Sequence, residues 1–191
     1  MGWDRFGVMG VMAVTALAGG VTARPALAGT CPAATTCDTT VLFTVSADEG
    51  LAISVPDGPV GIGSGTPGDQ ISGPLGPVTV SDDRAALNAT WVATVSGTSF
   101  TTGGGSGAET IPAGAISYWS GLATSTTGAG TFVPGQPDAA SAEHLDAPYA
   151  AFRKISGAGG NSCTWNPTVV VDIPDGAVSG TYRGTISHSV A

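Results

Sequence analysis

Charged side chains, histidines and catalytic motifs are scarce in this sequence of 191 residues. Only 10% of the residues are charged, and two are histidines. Neither Gly-x-Ser-x-Gly nor His-Glu-x-x-His occurs, and no cysteine stands at a recognised spacing from a histidine. The sequence therefore predicts a non-catalytic protein with no catalytic residues, no cofactor and no metal ion. A glycosidase needs only two carboxylates at a defined separation, so that class of enzyme stays open.

The chain has one long apolar run, and it lies at the N-terminus. Met1-Gly-Trp-Asp-Arg5 precedes the apolar residues 6–21, and Ala26-Leu27-Ala28 follows them. The run is shorter than the roughly 20 residues that a membrane-spanning helix needs. Small residues at alternate positions are typical of a signal-peptidase site. We therefore expect residues 1–28 to be a secretory signal peptide, the chain to be secreted, and the mature chain to contain no membrane span.

Basic residues are rare in the chain that remains after cleavage. It contains 13 acidic residues and four basic ones, which gives a net charge of −9. Such a charge repels nucleic acid, anionic lipid and teichoic polymers at long range. We expect no nucleic-acid partner, and a ligand that is neutral or cationic.

The three cysteines have three alternative pairings in an oxidising compartment. Cys31 and Cys37 are close enough in sequence to close a small loop in an N-terminal segment, residues 29–38. In that arrangement Cys163 is left over, and a buried free thiol is the simplest state for it. Pairing of Cys163 with Cys31 or with Cys37 stays an alternative.

Glycine, threonine, serine, alanine and valine dominate the sequence, and apolar residues alternate with polar ones. This pattern predicts strands, among them a hairpin over residues 39–55 and strands over 87–95, 116–119, 168–173 and 180–190. At least seven short strands without an amphipathic helix favour an all-β antiparallel β-sandwich, immunoglobulin-like or Greek-key. We expect residues 39–191 to form one such domain.

Alternation also predicts which side chains share a face. Leu87, Ala89, Trp91, Ala93 and Val95 fall on one face of their strand, whereas Trp119 falls opposite its apolar neighbours Ile116 and Tyr118. In the last strand Tyr182, Ile186, His188 and Val190 share a face. Ser179-Gly180-Thr181-Tyr182 also resembles a tyrosine corner, in which the hydroxyl bonds back to the upstream backbone.

Two acidic clusters stand out, Asp82-Asp83 and Glu143-His144-Leu145-Asp146. Two adjacent carboxylates without further regularly spaced oxygen ligands are a weak calcium signal, and the second cluster lacks a second histidine at ligand spacing. We expect a turn at the first cluster and a solvated loop at the second.

Trp91-Val92-Ala93 is followed by Val95 and Phe100, and Gly180-Thr181-Tyr182 is followed by His188-Ser189-Val190. In these motifs, and in a layout over roughly residues 39–190, the mature chain resembles the WxL-domain surface proteins of Gram-positive bacteria. The first stretch stands at the first Trp-x-Leu motif of that family, and the second stands at its closing motif. Here Ala93 replaces the first leucine, and His188 and Val190 replace the second tryptophan and leucine. The resemblance implies a secreted β domain that associates non-covalently with the cell wall or cell surface.

Four side chains are candidates for binding peptidoglycan or a surface protein: Trp119, Trp91, Tyr182 and His188. Aromatic and imidazole rings stack on sugars, and Trp119 is the best candidate for an exposed stacking platform. The competing interpretation of Trp91, Tyr182 and His188 is packing in the core or at its rim. A second functional hypothesis is a self-associating structural subunit, in which an edge strand such as 180–190 pairs with another chain to build an extracellular layer or fibre.

Overall fold

The structure is a computed structural model that describes residues 33–34, 41–45 and 50–191. The chain divides into two compact units, Met1–Phe43 and Thr44–Ala191. All described strands lie in the second unit. The predicted signal peptide, Cys31 and Cys37 lie outside the described residues, so the predicted cleavage and the Cys31–Cys37 disulfide stay predictions.

Fourteen strands, numbered in chain order, form the sheets of the second unit. They are β1 (Leu51–Ser54), β2 (Gln70–Pro74), β3 (Val78–Asp82), β4 (Trp91–Gly97), β5 (Phe100–Thr101), β6 (Thr110–Ile111), β7 (Ile116–Trp119), β8 (Ala123–Thr127), β9 (Thr131–Pro134), β10 (Glu143–His144), β11 (Tyr149–Ser156), β12 (Asn161–Trp165), β13 (Thr168–Asp172) and β14 (Ile186–Val190). Three single 3₁₀ turns stand between them, Gly107–Glu109, Ala113–Ala115 and Ala139–Ser141. None of the described helices is long and apolar enough to cross a membrane.

The strands pair antiparallel in three sheets of four strands and one small sheet. The first sheet has the order β1-β3-β12-β8, the second β10-β7-β13-β2, and the third β14-β4-β11-β9, while β5 pairs with β6. Every described strand pair is antiparallel. The prediction of an all-β antiparallel sandwich is confirmed.

The core forms because buried and exposed side chains alternate along the central strands. Inward side chains from all three sheets make one cluster, which includes Val80, Trp91, Tyr118, Phe152, Trp165 and Val171. The rings of Phe152 and Trp165 stack with centroids 4.9 Å apart. Burying one such side chain is worth roughly 1.5–3 kcal/mol, so this cluster is the main source of stability. Cys163 is a free, buried thiol within it.

The predicted hairpin over residues 39–55 is wrong for residues 41–45. These residues belong to none of the described strands, and their side chains are exposed. Strand β1 pairs instead with β3, with Leu51 opposite Asp82. Alternation gives a segment two faces, but it becomes a strand only where an edge is available for pairing and a face for burial.

Two other predicted strands are longer than the observed ones. Leu87 is 85% exposed because residues 87–88 form a turn, and β4 begins only at Trp91. Along 180–190 only Ile186–Val190 is a strand, and Ile186, His188 and Val190 share its half-buried face as predicted. Before it the chain is irregular, apart from a bridge between Thr101 and Arg183.

Two of the observed strands, β8 and β12, lack the alternation that predicts a strand. β8 lies in a low-complexity stretch, and all five of its residues are exposed. β12 is a central strand, but its buried side chains are Asn161, Cys163 and Trp165, which do not form an aliphatic alternation. The two strands pair with each other in the first sheet.

Candidate functional site

The outer face of the second sheet carries Trp119 among small polar side chains. In the register of β7, β13 and β2, Trp119 lies opposite Thr168, and Thr168 lies opposite Pro74. The next row contains His144, Ser117, Val170 and Ser72. Directly opposite residues in an antiparallel pair point to the same side of the sheet. We call this surface, formed by residues 72, 74, 117, 119, 168 and 170, the tryptophan face.

The position of Trp119 on this face follows from the burial alternation of β7. Ile116 and Tyr118 point into the core and are fully buried, whereas Ser117 and Trp119 point outward and are half-buried. The prediction that Trp119 lies opposite its apolar neighbours is confirmed. Its indole ring therefore stands at the surface. Thr168 lies on the inner strand β13, which has a neighbouring strand about 4.8 Å away on each side.

Hydrogen bonds hold the polar margin of the tryptophan face in place. The hydroxyl of Ser117 lies 3.1 Å from Nδ1 of His144, and Nε2 of Gln70 donates to Oδ1 of Asp172 at 2.7 Å. Asp172 is a charged residue at this margin. Thr168 on the neighbouring strand adds a further hydroxyl beside the ring. The face combines one aromatic ring with hydroxyl and amide groups that both donate and accept hydrogen bonds.

Trp91, the second candidate, is buried and belongs to the core. It is 2% exposed, its Nε1 donates to Oδ1 of Asn161 at 3.2 Å, and its ring lies 6.0 Å from that of Phe132. Both faces of its indole are therefore enclosed by protein. The position of Trp91 therefore agrees with its interpretation as a core residue.

His188, the third candidate, belongs to a hydrogen-bonded group of three rings. Nε1 of Trp165 donates to the Tyr118 hydroxyl at 3.2 Å, and that hydroxyl lies 3.1 Å from Nε2 of His188. An indole N–H can only donate, so the tyrosine oxygen accepts from Trp165 and its own proton is free to reach His188. This assignment makes Nε2 the acceptor and puts the imidazole proton on Nδ1, which is buried without a partner among the described groups.

Burial lowers the pKa of His188 to about 4. Burial also raises the pKa of Tyr118, so its hydroxyl stays protonated at neutral pH. The histidine pKa in an unfolded chain is about 6.5, so the unfolded state binds this proton more readily than the folded state. The stability from neutral His188 is present above about pH 6.5 and is lost as the pH falls toward 4.

We expect His188→Gln to weaken the acid sensitivity of folding. Between pH 7 and pH 4.5 the unfolding free energy of the wild type should fall by about 2 kcal/mol through this one group. A pKa shift of one unit is worth about 1.4 kcal/mol, and the value is reduced because the ring is only half-buried. Urea unfolding at the two pH values measures the difference. His144→Gln, which changes the exposed histidine, should keep the wild-type pH dependence. An unchanged pH dependence in His188→Gln would show that another group titrates.

Tyr182, the fourth candidate, forms the predicted tyrosine corner. Its hydroxyl donates back to the carbonyl of Val178 four residues upstream at 2.9 Å, and it also lies 3.1 Å from the carbonyl of Ala108. The second contact links the approach to β14 with the 3₁₀ turn before β6. Tyr182 therefore fixes the irregular segment that precedes the last strand.

Tyr182 and His188 come together in the wall of one cavity, and the two tryptophan candidates lie elsewhere. The cavity has a volume of about 940 Å³, within the range of ligand pockets. Val169 and Val171 of the second sheet and Ile186 of the third sheet line it, together with segments 55–67 and 177–185. Its walls are mainly apolar, so it suits an apolar occupant.

The two acidic clusters are not simply the turn and the solvated loop that the sequence predicts, because Asp82 ends strand β3 and Glu143–His144 form strand β10, followed by the buried Leu145. Asp82 is fully buried and pairs with Arg84, whose Nε lies 2.8 Å from Oδ1, and Nδ2 of Asn161 donates to Oδ2 at 3.2 Å. The bond from Arg84 is the main cause of the lowered pKa of Asp82. Its oxygens are thus occupied, which is incompatible with the calcium interpretation. Within the described part of the chain, no three metal-ligating side chains converge.

Comparisons with known proteins found no relative of this chain. No protein-family model matches the chain, and neither the curated proteins nor the solved structures contain a match. The resemblance to WxL-domain proteins therefore rests on the sequence motifs and their layout alone.

The residues that flank Trp119 were missed at the level of sequence. Thr168 and Val170 alternate with the buried valines of β13, and this signal places them on an outer face. It does not tell which strand lies beside β13. The pairing of β13 with β7 and β2 is a tertiary choice, and only that pairing joins Thr168, Ser117 and Ser72 to Trp119.

Proposed function

We propose that this chain is a secreted, non-catalytic protein of the Gram-positive cell surface, which binds the glycan of the cell wall through the tryptophan face. The observation that carries the proposal is a half-buried indole on an outer sheet face, with the hydroxyls of Ser117 and Thr168 on the same face. A sugar ring has an apolar C–H face and a rim of hydroxyls, so it matches an aromatic ring flanked by hydrogen-bonding groups.

The charge of the surface supports a neutral polymer as the ligand. The tryptophan face contains no acidic or basic side chain, and Asp172 at its margin is engaged by Gln70. The N-acetylated sugars of peptidoglycan are neutral, whereas teichoic polymers carry phosphate. A chain with a net charge of −9 repels such polymers. The resemblance to WxL-domain proteins favours the same cellular location.

We expect Trp119→Ala to weaken binding to peptidoglycan at least tenfold. A stacked tryptophan at the centre of a contact is typically worth about 2 kcal/mol or more, and about 1.4 kcal/mol corresponds to a factor of ten. The measurement is co-sedimentation of residues 29–191 with purified sacculi, with and without teichoic polymers. Saturable binding that does not need the teichoic polymers is the expected result for the wild type.

A matched control separates stacking from general loss of apolar surface. Ile155 is 57% exposed and lies on β11 of the third sheet, away from the tryptophan face. Ile155→Ala should bind sacculi as the wild type does. Equal binding by Trp119→Ala and the wild type would contradict the proposed site. If neither sediments with sacculi, the ligand is not wall glycan, and a surface protein becomes the better candidate.

A further inference from the structure

A short apolar segment stands exposed before the first strand. In Val41-Leu-Phe-Thr-Val45 the four apolar side chains are 73–91% exposed. Val41, Phe43 and Val45 alternate with Leu42 and Thr44, which is the pattern of a strand with one apolar face. We call residues 41–45 the donor segment. Soluble proteins rarely leave such a segment uncovered unless it has a partner.

The cavity described above has the complementary properties. It lies beside β14, which is an edge strand of the third sheet, and it is lined also by Ile71 of β2, which is an edge strand of the second sheet. Three valines of its lining segments, Val55, Val60 and Val178, are 40–48% exposed. We call this cavity and its rim the acceptor groove. An edge strand offers unpaired backbone groups to an added strand.

We propose that the donor segment of one copy adds as a strand along β14 in the acceptor groove of a second copy. The apolar face of the donor segment, Val41, Phe43 and Val45, then points into the groove, while Leu42 and Thr44 point outward. Backbone hydrogen bonds to the edge strand supply affinity, and the alternate side chains supply specificity. This inference is independent of glycan binding by the tryptophan face.

Length and charge support a second copy as the occupant. The donor segment and β14 both contain five residues, which span roughly 17 Å as strands. The donor segment is uncharged, so it enters the groove of a strongly acidic protein without repulsion. The apolar side chains of the donor segment are exposed, so they are available to a second copy. An added strand would also bring backbone acceptors to the wall that contains Nδ1 of His188, which lacks a described partner.

The geometry of this contact gives open polymers. Donor segment and acceptor groove are different surfaces, so each copy that fills a neighbour's groove leaves its own groove free. Head-to-tail contacts of this kind form filaments unless a rotation closes them into a ring. The self-association predicted from the sequence thus acquires a defined donor, residues 41–45, in place of the predicted hairpin strand.

The first test compares the same charge substitution at two adjacent positions of the donor segment, one that faces the groove and one that faces outward. Sedimentation velocity of residues 29–191, under reducing conditions that prevent cysteine cross-links, should show masses that grow with concentration. Phe43→Asp puts a carboxylate into the groove and should weaken association at least tenfold. Leu42→Asp changes an equally exposed apolar residue that points outward, and it should associate nearly as the wild type does.

The second test is complementation between two defective copies. Phe43→Asp has an intact groove, whereas the double variant Val60→Asp/Val178→Asp has an intact donor segment and changes only half-exposed rim residues. Each should be monomeric alone, and their mixture should form a 1:1 dimer without longer species. A wild type that stays monomeric at every concentration would overturn the proposal. An equal loss of association in Phe43→Asp and Leu42→Asp would also overturn it, and so would a mixture that does not form the dimer.

Discussion

Lys154→Met is expected to lower the unfolding free energy by about 4 kcal/mol. Lys154 is 1% exposed, and its Nζ donates to the carbonyls of Ala89 at 2.8 Å, Gly157 at 3.0 Å and Ala158 at 2.9 Å. Methionine keeps much of the volume but leaves these three acceptors without their common donor. Each buried group that loses its partner costs roughly 1–3 kcal/mol. The ammonium therefore joins β11 to the turn at 157–160 and to the approach to β4.

Chemical denaturation of the wild type and Lys154→Met measures this cost. Arg153→Met is the matched control, because Arg153 is the preceding residue of β11 and its side chain is exposed. Surface substitutions of this kind usually change stability by less than about 0.5 kcal/mol. If Lys154→Met unfolds at the same denaturant concentration as the wild type, the three carbonyls do not depend on the ammonium.

Gly159→Ala is expected to cost about 3 kcal/mol or more, because the added methyl has no space. A Cβ at Gly159 would overlap the carbonyl oxygen of Arg84 and would lie 2.6 Å from its carbonyl carbon. These are backbone atoms, and the N–H of Gly159 also donates to the carbonyl of Ala86 at 2.9 Å. The two segments must separate to admit the methyl, which strains the turn between β11 and β12.

Gly176→Ala provides the control for this substitution. A Cβ at Gly176 meets no atom within 4 Å, and its backbone is not in the left-handed region. Its stability should stay within about 0.5 kcal/mol of the wild type. Thermal unfolding of the three proteins measures the effect. Equal melting temperatures for Gly159→Ala and Gly176→Ala would show that the turn relaxes at little cost.

Alternation was sufficient to predict the fold class and several faces, because it reports local geometry. The buried face of β7 and the inward side chains from Ala89 to Val95 follow directly from it. It failed at residues 41–45 and at Leu87, since a segment with two faces still needs an edge and a surface to cover. No local pattern carries that information.

The candidate site was predictable only where its geometry depends on residues that are close in sequence. The outward position of Trp119 and the bond from Tyr182 to the upstream backbone depend on residues that are close in sequence. The neighbours of Trp119 come from three strands, and the Trp165–Tyr118–His188 group joins three sheets. Lys154 is the clearest case, because a lysine in an ordinary strand sequence gives no sign that three carbonyls will enclose its amine.

The most direct test of glycan binding at the tryptophan face is an NMR titration of the indole N–H signals. Residues 29–191 contain three tryptophans, and the indole N–H groups of Trp91 and Trp165 are bonded inside the core. Trp119→Phe identifies the third signal by its loss. On addition of soluble peptidoglycan fragments, we expect a saturable shift of the Trp119 signal while the other two stay in place. A Trp119 signal that does not move, or equal shifts of all three, would contradict binding at this face.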